Sequence, residues 1–345
     1  MSCTYVLTQD ERLYVQVETT WGVVPNTAGV ASVAGSNCCR AISLELNPNR
    51  TVLTRQDKTG TRSMPPGSPG REDGSWKAKM SLAGNGTGGI KPDMDPFLQS
   101  IFGQAPTTVA STSVSYALSD NIPSLSIWSF RTDTAGTGNP NQRVSVGSVA
   151  TSATFNLGED IATVEFDGAS KLILGSFDYT SRSTAGDTAG LSGLSAFPVQ
   201  PTSPVTNGSA VQGFYGALTM DSQVLTTIRS GSLKIETGNK NSKVFGTPYP
   251  GCPYGGIRKI SFQCDLYDGS DTATKDIYQR AYDKNPITVI MQVGTATGNT
   301  WTFTISGLQL APYSYDESDL AYALKFGDSM ASSTAGLTEI GLSIT

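Results

Sequence analysis

The chain of 345 residues contains no histidine. That absence removes Ser-His-Asp and Cys-His catalysis, most zinc sites and the usual acid–base group of neutral pH. Cysteine is sparse as well. Cys3, Cys38, Cys39, Cys252 and Cys264 are odd in number and show no CxxC spacing. They are expected to be mostly reduced, in a chain folded in a cytoplasm. Charged residues make up only 15% of the chain, and 24 basic residues against 29 acidic ones leave a net charge of −5. Without clustered Lys and Arg there is no electrostatic reason to grip nucleic acid. No apolar run approaches the ~20 residues of a membrane span. Asp10-Glu11-Arg12 stands where a secretory signal needs an apolar core, so a soluble protein made inside a cell is expected.

What the chain has in abundance is glycine (37 residues), serine and threonine, a mix that suits strands and turns better than helices. The stretch Arg258–Ser306 shows the pattern most clearly. Ile260, Phe262, Cys264 and Leu266 alternate with Lys259, Ser261, Gln263 and Asp265, which predicts a strand with one dry face. Asp268-Gly-Ser-Asp271 breaks it and offers Ser270 or Asp271 as a helix cap. Ala273, Ile277 and Ala281, widened by Tyr278 and Tyr282, predict a helix over 272–283, stopped by Asn285-Pro286. Period two resumes at Ile287–Val293 and again at Trp301–Ile305.

Earlier in the chain, residues 1–38 read as an extended arm holding one short apolar piece, Leu13–Val17. Strands are predicted at 41–46, 76–82, 113–118, 124–130, 143–157, 161–166 and 171–179. Residues 56–75, with three prolines and both charge signs, read as a long loop. Phe97, Leu98, Ile101 and Phe102 predict a short helix closed by Gly103. Residues 180–209, rich in Ser, Thr, Gly and Pro, read as a linker, with further strands near 211–220 and 232–236. The order strand, strand, helix occurs at 41–46, 76–82 and 93–102, and again at 232–236, 258–266 and 272–283. That spacing suggests a duplicated domain without residue identity. The expected organisation is an arm (1–38), a first domain (39–179), a linker (180–209) and a second domain (210–345). The fold class is mainly β.

The motifs that could carry chemistry read as structural. Gly84-Asn-Gly-Thr-Gly-Gly89 matches GxGxxG, yet no parallel βαβ alternation follows and no acidic residue stands about 20 positions on, so a turn is expected. Asp265, Asp268, Asp271 and Asp276 lack the spacing of a calcium loop. Asp316-Glu-Ser-Asp319 and Glu159-Asp160 read as solvated turns rather than paired catalytic carboxylates. No catalytic residue, cofactor or metal ligand is expected. In the 56–75 loop, Lys58, Arg62 and Arg71 are balanced by Asp57, Glu72 and Asp73, which points to protein–protein pairing rather than phosphate.

Taken in order, several features resemble the tail tube (major tail) proteins of long-tailed bacteriophages. They are Trp21-Gly22-Val-Val-Pro25, Arg55 before the long loop, the strand at Trp76, and the helix from Pro92 to Leu98 with its Phe102-Gly103 end. In the second half they are Phe214-Tyr-Gly-Ala-Leu218, Gly256–Phe262 and Gly298-Asn-Thr-Trp-Thr-Phe303. The resemblance implies two tandem β-sandwich or barrel domains, each with one short flanking helix. It also implies side-by-side assembly into stacked rings that form the virion's tail tube, the conduit for DNA delivery. Three duplicated copies, or six, would close a ring. Implied partners are further copies of itself and the tape measure, terminator and distal tail proteins, with genomic DNA passing the lumen unbound. Assembly is expected in the host cytoplasm. Lys58, Arg62, Arg71, Glu72 and Asp73 become candidates for contact with the next ring. The competing reading is a β-rich fibre or carbohydrate-binding module, with Tyr249, Tyr254, Tyr313 and Tyr315 as its aromatic platform.

Overall fold

Period-two alternation dictates most of the structure. The computed structural model describes residues 6–27, 30–54, 60, 67–133, 141–158, 160–175, 200–201, 208–225, 227–269, 272–316, 322–332 and 336–345. The first part of the chain runs β1 (Val6–Val17), β2 (Asn26–Thr27), β3 (Val30–Ala31), β4 (Cys38–Cys39), β5 (Ser43–Leu53), β6 (Ser68–Ser81) and helix α1 (Asp95–Phe102). It continues with β7 (Thr107–Val109), β8 (Ser113–Ala117), β9 (Leu125–Asp133), β10 (Asn141–Leu157), β11 (Thr163–Ser170) and β12 (Leu172–Gly175). The second part runs β13 (Ala217–Met220), β14 (Gln223–Leu225), β15 (Ile228–Glu236), β16 (Lys240–Asn241), β17 (Pro253–Tyr254), β18 (Lys259–Tyr267) and helix α2 (Thr272–Asp283). It ends with β19 (Ile287–Val293), β20 (Trp301–Gln309), β21 (Tyr313–Asp316), β22 (Ala323–Ala331) and β23 (Ile340–Ile344).

Apart from two small hairpins, the strands form one barrel-like network. Its spine is an antiparallel sheet in the order β5-β6-β11-β10-β15-β18-β22-β21. The pairing of β10 with β15 is the seam between the two parts of the chain. A second layer runs β14-β13-β19-β20-β23-β8-β7. A third runs β1-β9-β10-β12, with β4 also on β1. Strand β10 belongs to two layers. Its first half pairs with β9 and β12, and its second half pairs with β11 and β15.

The same pairings occur twice. In the first part they are β1·β9, β9·β10, β10·β12, β10·β11, β11·β6 and β6·β5. In the second part they are β13·β19, β19·β20, β20·β23, β21·β22, β22·β18 and β18·β15. Strands β20 and β21 together stand where β10 stands. Pro312, which has no N–H for a ladder, falls in the break between them.

One hydrophobic core spans both parts. An aromatic series runs through it from Trp76 to Phe97 (centroids 5.4 Å apart), Phe166 (5.1 Å), Phe155 (6.4 Å) and Phe303 (4.9 Å). Helix α1 enters this core because Pro96 suits its first turn while Phe97, Leu98, Ile101 and Phe102 all point inward. Gly103, at φ 87°, ends it, its N–H donating to the Gln99 carbonyl.

Three expectations change. Residues 6–17, expected in an extended arm, form β1, and Leu13, Tyr14 and Val15 are buried. The long loop is shorter than expected, because β6 begins at Ser68 and pairs with β5 back to Leu53. Periodicity hid this: Pro69, Gly70 and Gly74 interrupt the apolar alternation that marks a strand. Helix α2 forms as expected and buries Ile277 and Ala281, but Tyr282 is 85% exposed and does not widen the apolar stripe. The expected linker at 180–209 lies almost wholly outside the described residues, as do Ser270 and Asp271 at the expected helix cap.

Candidate assembly interface

The eight-stranded sheet has two faces of opposite character. Cross-strand partners point the same way. Thus the register puts Trp76, Ala78, Met80, Val164, Phe166, Phe155, Leu233, Ile235, Phe262, Cys264 and Leu324 on the buried side. The alternate positions make a polar face across all eight strands: Ser43 and Glu45; Lys77 and Lys79; Glu165 and Asp167; Ser152, Thr154 and Asn156; Lys234 and Glu236; Lys259, Gln263 and Asp265; Lys325; Ser314 and Asp316. Lysines and carboxylates interleave there. Lys79 Nζ lies 2.9 Å and Lys77 Nζ 3.2 Å from Glu165, Lys234 lies 2.5 Å from Glu236, and Lys325 lies 2.7 Å from Asp316. Hydrogen bonds from Lys79 and Lys77 hold the Glu165 carboxyl below the usual range, and the bond to Asp316 pushes Lys325 up. With each charge beside its opposite, the face presents no net attraction for a polyanion.

Among the described residues both ends of this sheet are open: strand β5 pairs with β6 alone and β21 with β22 alone. At the β21 end, aromatic side chains gather on the buried-side face without being covered. Tyr313 meets Tyr278 (4.5 Å, edge-on), Tyr315 (5.5 Å) and Phe326 (6.0 Å), and Tyr315 meets Tyr322 (6.3 Å). The Tyr278 hydroxyl donates to Asp268 at 3.0 Å, and partial burial together with that carboxylate pushes its pKa up. Tyr315 is 56% exposed, whereas Phe155, at the corresponding place on β10, is fully buried at the seam. Of the four tyrosines considered as a glycan platform, Tyr249 is buried and only Tyr313 and Tyr315 sit together.

The β5–β6 hairpin projects from the other end, with Val52 and Leu53 exposed near its tip. Arg71, Glu72 and Asp73 lie on its strand. Arg71 Nη2 donates to the Val244 carbonyl (2.8 Å), and the Glu72 N–H donates to Pro248 O (2.9 Å). Arg50 pairs with Glu72 at 2.9 Å, and Asn49 donates to Asp73 at 2.8 Å. The Arg71 and Glu72 contacts with backbone carbonyls fasten the hairpin to the chain's own 244–248 segment, and the Arg50–Glu72 and Asn49–Asp73 contacts tie its two strands together. Lys58 and Arg62 lie outside the described residues.

The GxGxxG stretch is a clasp between the two parts of the chain. The Gly84 N–H donates to Asn299 Oδ1 (2.5 Å), Gly86 N–H donates to Gly298 O (3.3 Å), and Asn299 Nδ2 donates to Ser209 O (2.8 Å). A Cβ on Gly84 would collide with the Gly298 carbonyl, and one on Gly298 would collide with the backbone of Thr87. The glycines are there so that two backbones can touch. Among the described residues, no group of three or more His, Cys, Asp or Glu is placed to hold a metal, and no helix is long and apolar enough to cross a membrane. Cys38, Cys39, Cys252 and Cys264 are free thiols.

A mainly β chain with one large two-faced sheet, open at both edges, has the build of a structural subunit. A family model described as phage tail tube protein matches residues 8–338, and the chain belongs to that family. No curated protein matches it. Membership makes it a structural component of the virion tail that assembles with itself and with other phage tail proteins.

Proposed function

We propose that copies of this chain join edge to edge into rings that stack as the tail tube, with the polar face of the eight-stranded sheet lining the channel for the phage genome. The observation that carries this reading is the sheet itself: dry on one face, polar and charge-balanced on the other, and unpaired at both ends. The twofold recurrence of strand pairings supports two tandem tube domains, 39–179 and 210–345, joined through 180–209, and hence three chains per ring. Three chains would supply 24 strands from the eight of the spine. At a strand spacing of ~4.8 Å and a tilt of ~40°, such a barrel measures about 50 Å across its backbone. Side chains standing ~5 Å from each wall leave a channel on the order of 40 Å, with room for duplex DNA. A wall of alternating charge lets that DNA move without adhesion, consistent with a conduit for delivery into the host.

Stacking is assigned to the tip of the β5–β6 hairpin, with Lys58 and Arg62 as the charged contacts to the next ring and Arg71, Glu72 and Asp73 holding the hairpin at its angle. The tape measure, terminator and distal tail proteins would meet the ends of the stack, after assembly in the host cytoplasm. Electron microscopy of the concentrated, purified chain tests the whole reading. Hollow tubes or rings with threefold averages are expected, and a chain that stays monomeric alongside the other tail components refutes it. Deleting residues 56–66, which spares β5 and β6, should leave rings and prevent stacking. Normal tubes from that deletion would remove the hairpin from the stacking contact.

A further inference from the structure

We infer that the open edge of β21 pairs with the open edge of β5 of a second copy, in a register already written inside the chain at the β10·β15 seam. The inference rests on the ring reading above and specifies its contact surface residue by residue. In the first part, Phe155 lies opposite Val164, and Val164 opposite Met80. In the second, Tyr315 lies opposite Leu324, and Leu324 opposite Leu266. Matching the C-terminal ends of β6 (Ser81) and β18 (Tyr267) sets Met80 against Leu266, and in that alignment Tyr315 holds the place of Phe155 and Tyr313 that of Ala153. Likewise Leu46 lies opposite Trp76, and Leu233 opposite Phe262, so Leu46 holds the place of Leu233. At the seam Phe155 faces Leu233 and Ala153 faces Ile235. Carried over, Tyr315 of one copy faces Leu46 of the next, Ser314 faces Asn47, and Tyr313 faces Pro48, where the missing N–H ends the ladder.

The state of the two edges agrees with this. Phe155 is sealed by the second half of its own chain, with the Phe303 ring 4.9 Å away, while Tyr315 is 56% exposed on the same face of the sheet. Tyr313, Tyr315 and Tyr322 form an aromatic end that the described residues leave exposed. Among the described residues no second strand lies along Tyr313–Tyr315, and such an edge with exposed aromatics is a joint suited to a further strand. The occupant whose edge matches it is the one the seam already shows, a β5-type strand, and on a second copy that strand is free.

The test is covalent. In a Cys3→Ser/Cys252→Ser background, which removes the exposed thiol among the described residues and the one cysteine outside them, Asn47→Cys and Ser314→Cys are combined; both positions are exposed and on the polar face. Directly opposed residues bring Cβ atoms ~4.5–5.5 Å apart, within reach of oxidative or short bismaleimide linkage. Assembled tubes treated this way should yield a ladder of linked chains ending at the ring size, and N47C mixed with S314C should yield dimers only. The Glu45→Cys/Ser314→Cys pair, displaced by two residues, should link much less. Tubes that form normally but give no N47C/S314C product, or link better through E45C/S314C, overturn the register while leaving the tube function standing. Absence of both tubes and product overturns the tube function and the register together.

Discussion

The sharpest consequence of the repeated pairing is that two matching positions should carry very different weight in the isolated chain. Phe155 is fully buried between Phe166 and Phe303, so Phe155→Ala removes a ring that touches both parts of the molecule. Truncating a buried Phe costs ~3–5 kcal/mol through lost transfer energy and the cavity left behind. The upper part of that range applies here, because sheets bonded on both sides of the seam cannot collapse inward. Tyr315 holds the matching place on β21 but remains 56% exposed, so Tyr315→Ala should cost about 1 kcal/mol or less. Urea titrations followed by circular dichroism, at concentrations where the chain is monomeric, should therefore separate the two variants by roughly 3 kcal/mol. In assembled tubes the gap should narrow, since the neighbour's β5 then seals Tyr315. Equal costs in the monomer, within about 0.5 kcal/mol, would refute the reading that the β21 edge is uncovered in the isolated chain.

Two further outcomes are expected. Gly298, at φ 73° and with Thr87 backbone where a Cβ would go, should not tolerate alanine. Gly298→Ala is expected to lose on the order of 2–4 kcal/mol in the same titrations, and a neutral result would dismiss the clasp as a structural element. The Lys77→Ala/Lys79→Ala double variant tests the charge ladder. Glu165 has its folded pKa depressed, so its contribution is present above the ordinary carboxylate value of ~4.3 and is lost as pH falls through the lower folded value. These side chains are largely exposed and screened by solvent, so the wild-type advantage should be small at pH 7 and should vanish in acid. A difference that persists to the lowest pH would show that packing of the lysine stems, not charge, sets it.

Much of the fold was legible because alternation is a local signal. The strand at 259–267 and the helices at 95–102 and 272–283 stand where apolar spacing put them. The order of elements suggested a duplication, and the recurring strand pairings are the observation that bears on it. Strand β1 was not legible at full length, since the run Thr8–Arg12 is polar throughout in the sequence, and pairing with β9 and β4 carries the strand beyond the apolar piece Leu13–Val17. The first residues of β6 failed for the same reason. The candidate site lay in plain view as the polar half of every alternating strand, yet nothing in one strand says that eight will align. That alignment is set by register, and register depends on partners more than 70 residues away, such as Phe155 on Leu233. The glycine-rich stretch gave a turn but not its purpose, because the backbone it touches is at Gly298.

The covalent continuity across the β10·β15 seam has a consequence for how a ring can come into being. In the three-chain ring proposed above, half of the domain-to-domain joints would arrive ready-made with each folded molecule. Three independent bodies then meet where single-domain subunits would need six, so two sets of rigid-body motion are surrendered rather than five, at ~4–15 kcal/mol each. The critical concentration for nucleation falls accordingly, and the remaining joints are all of one kind.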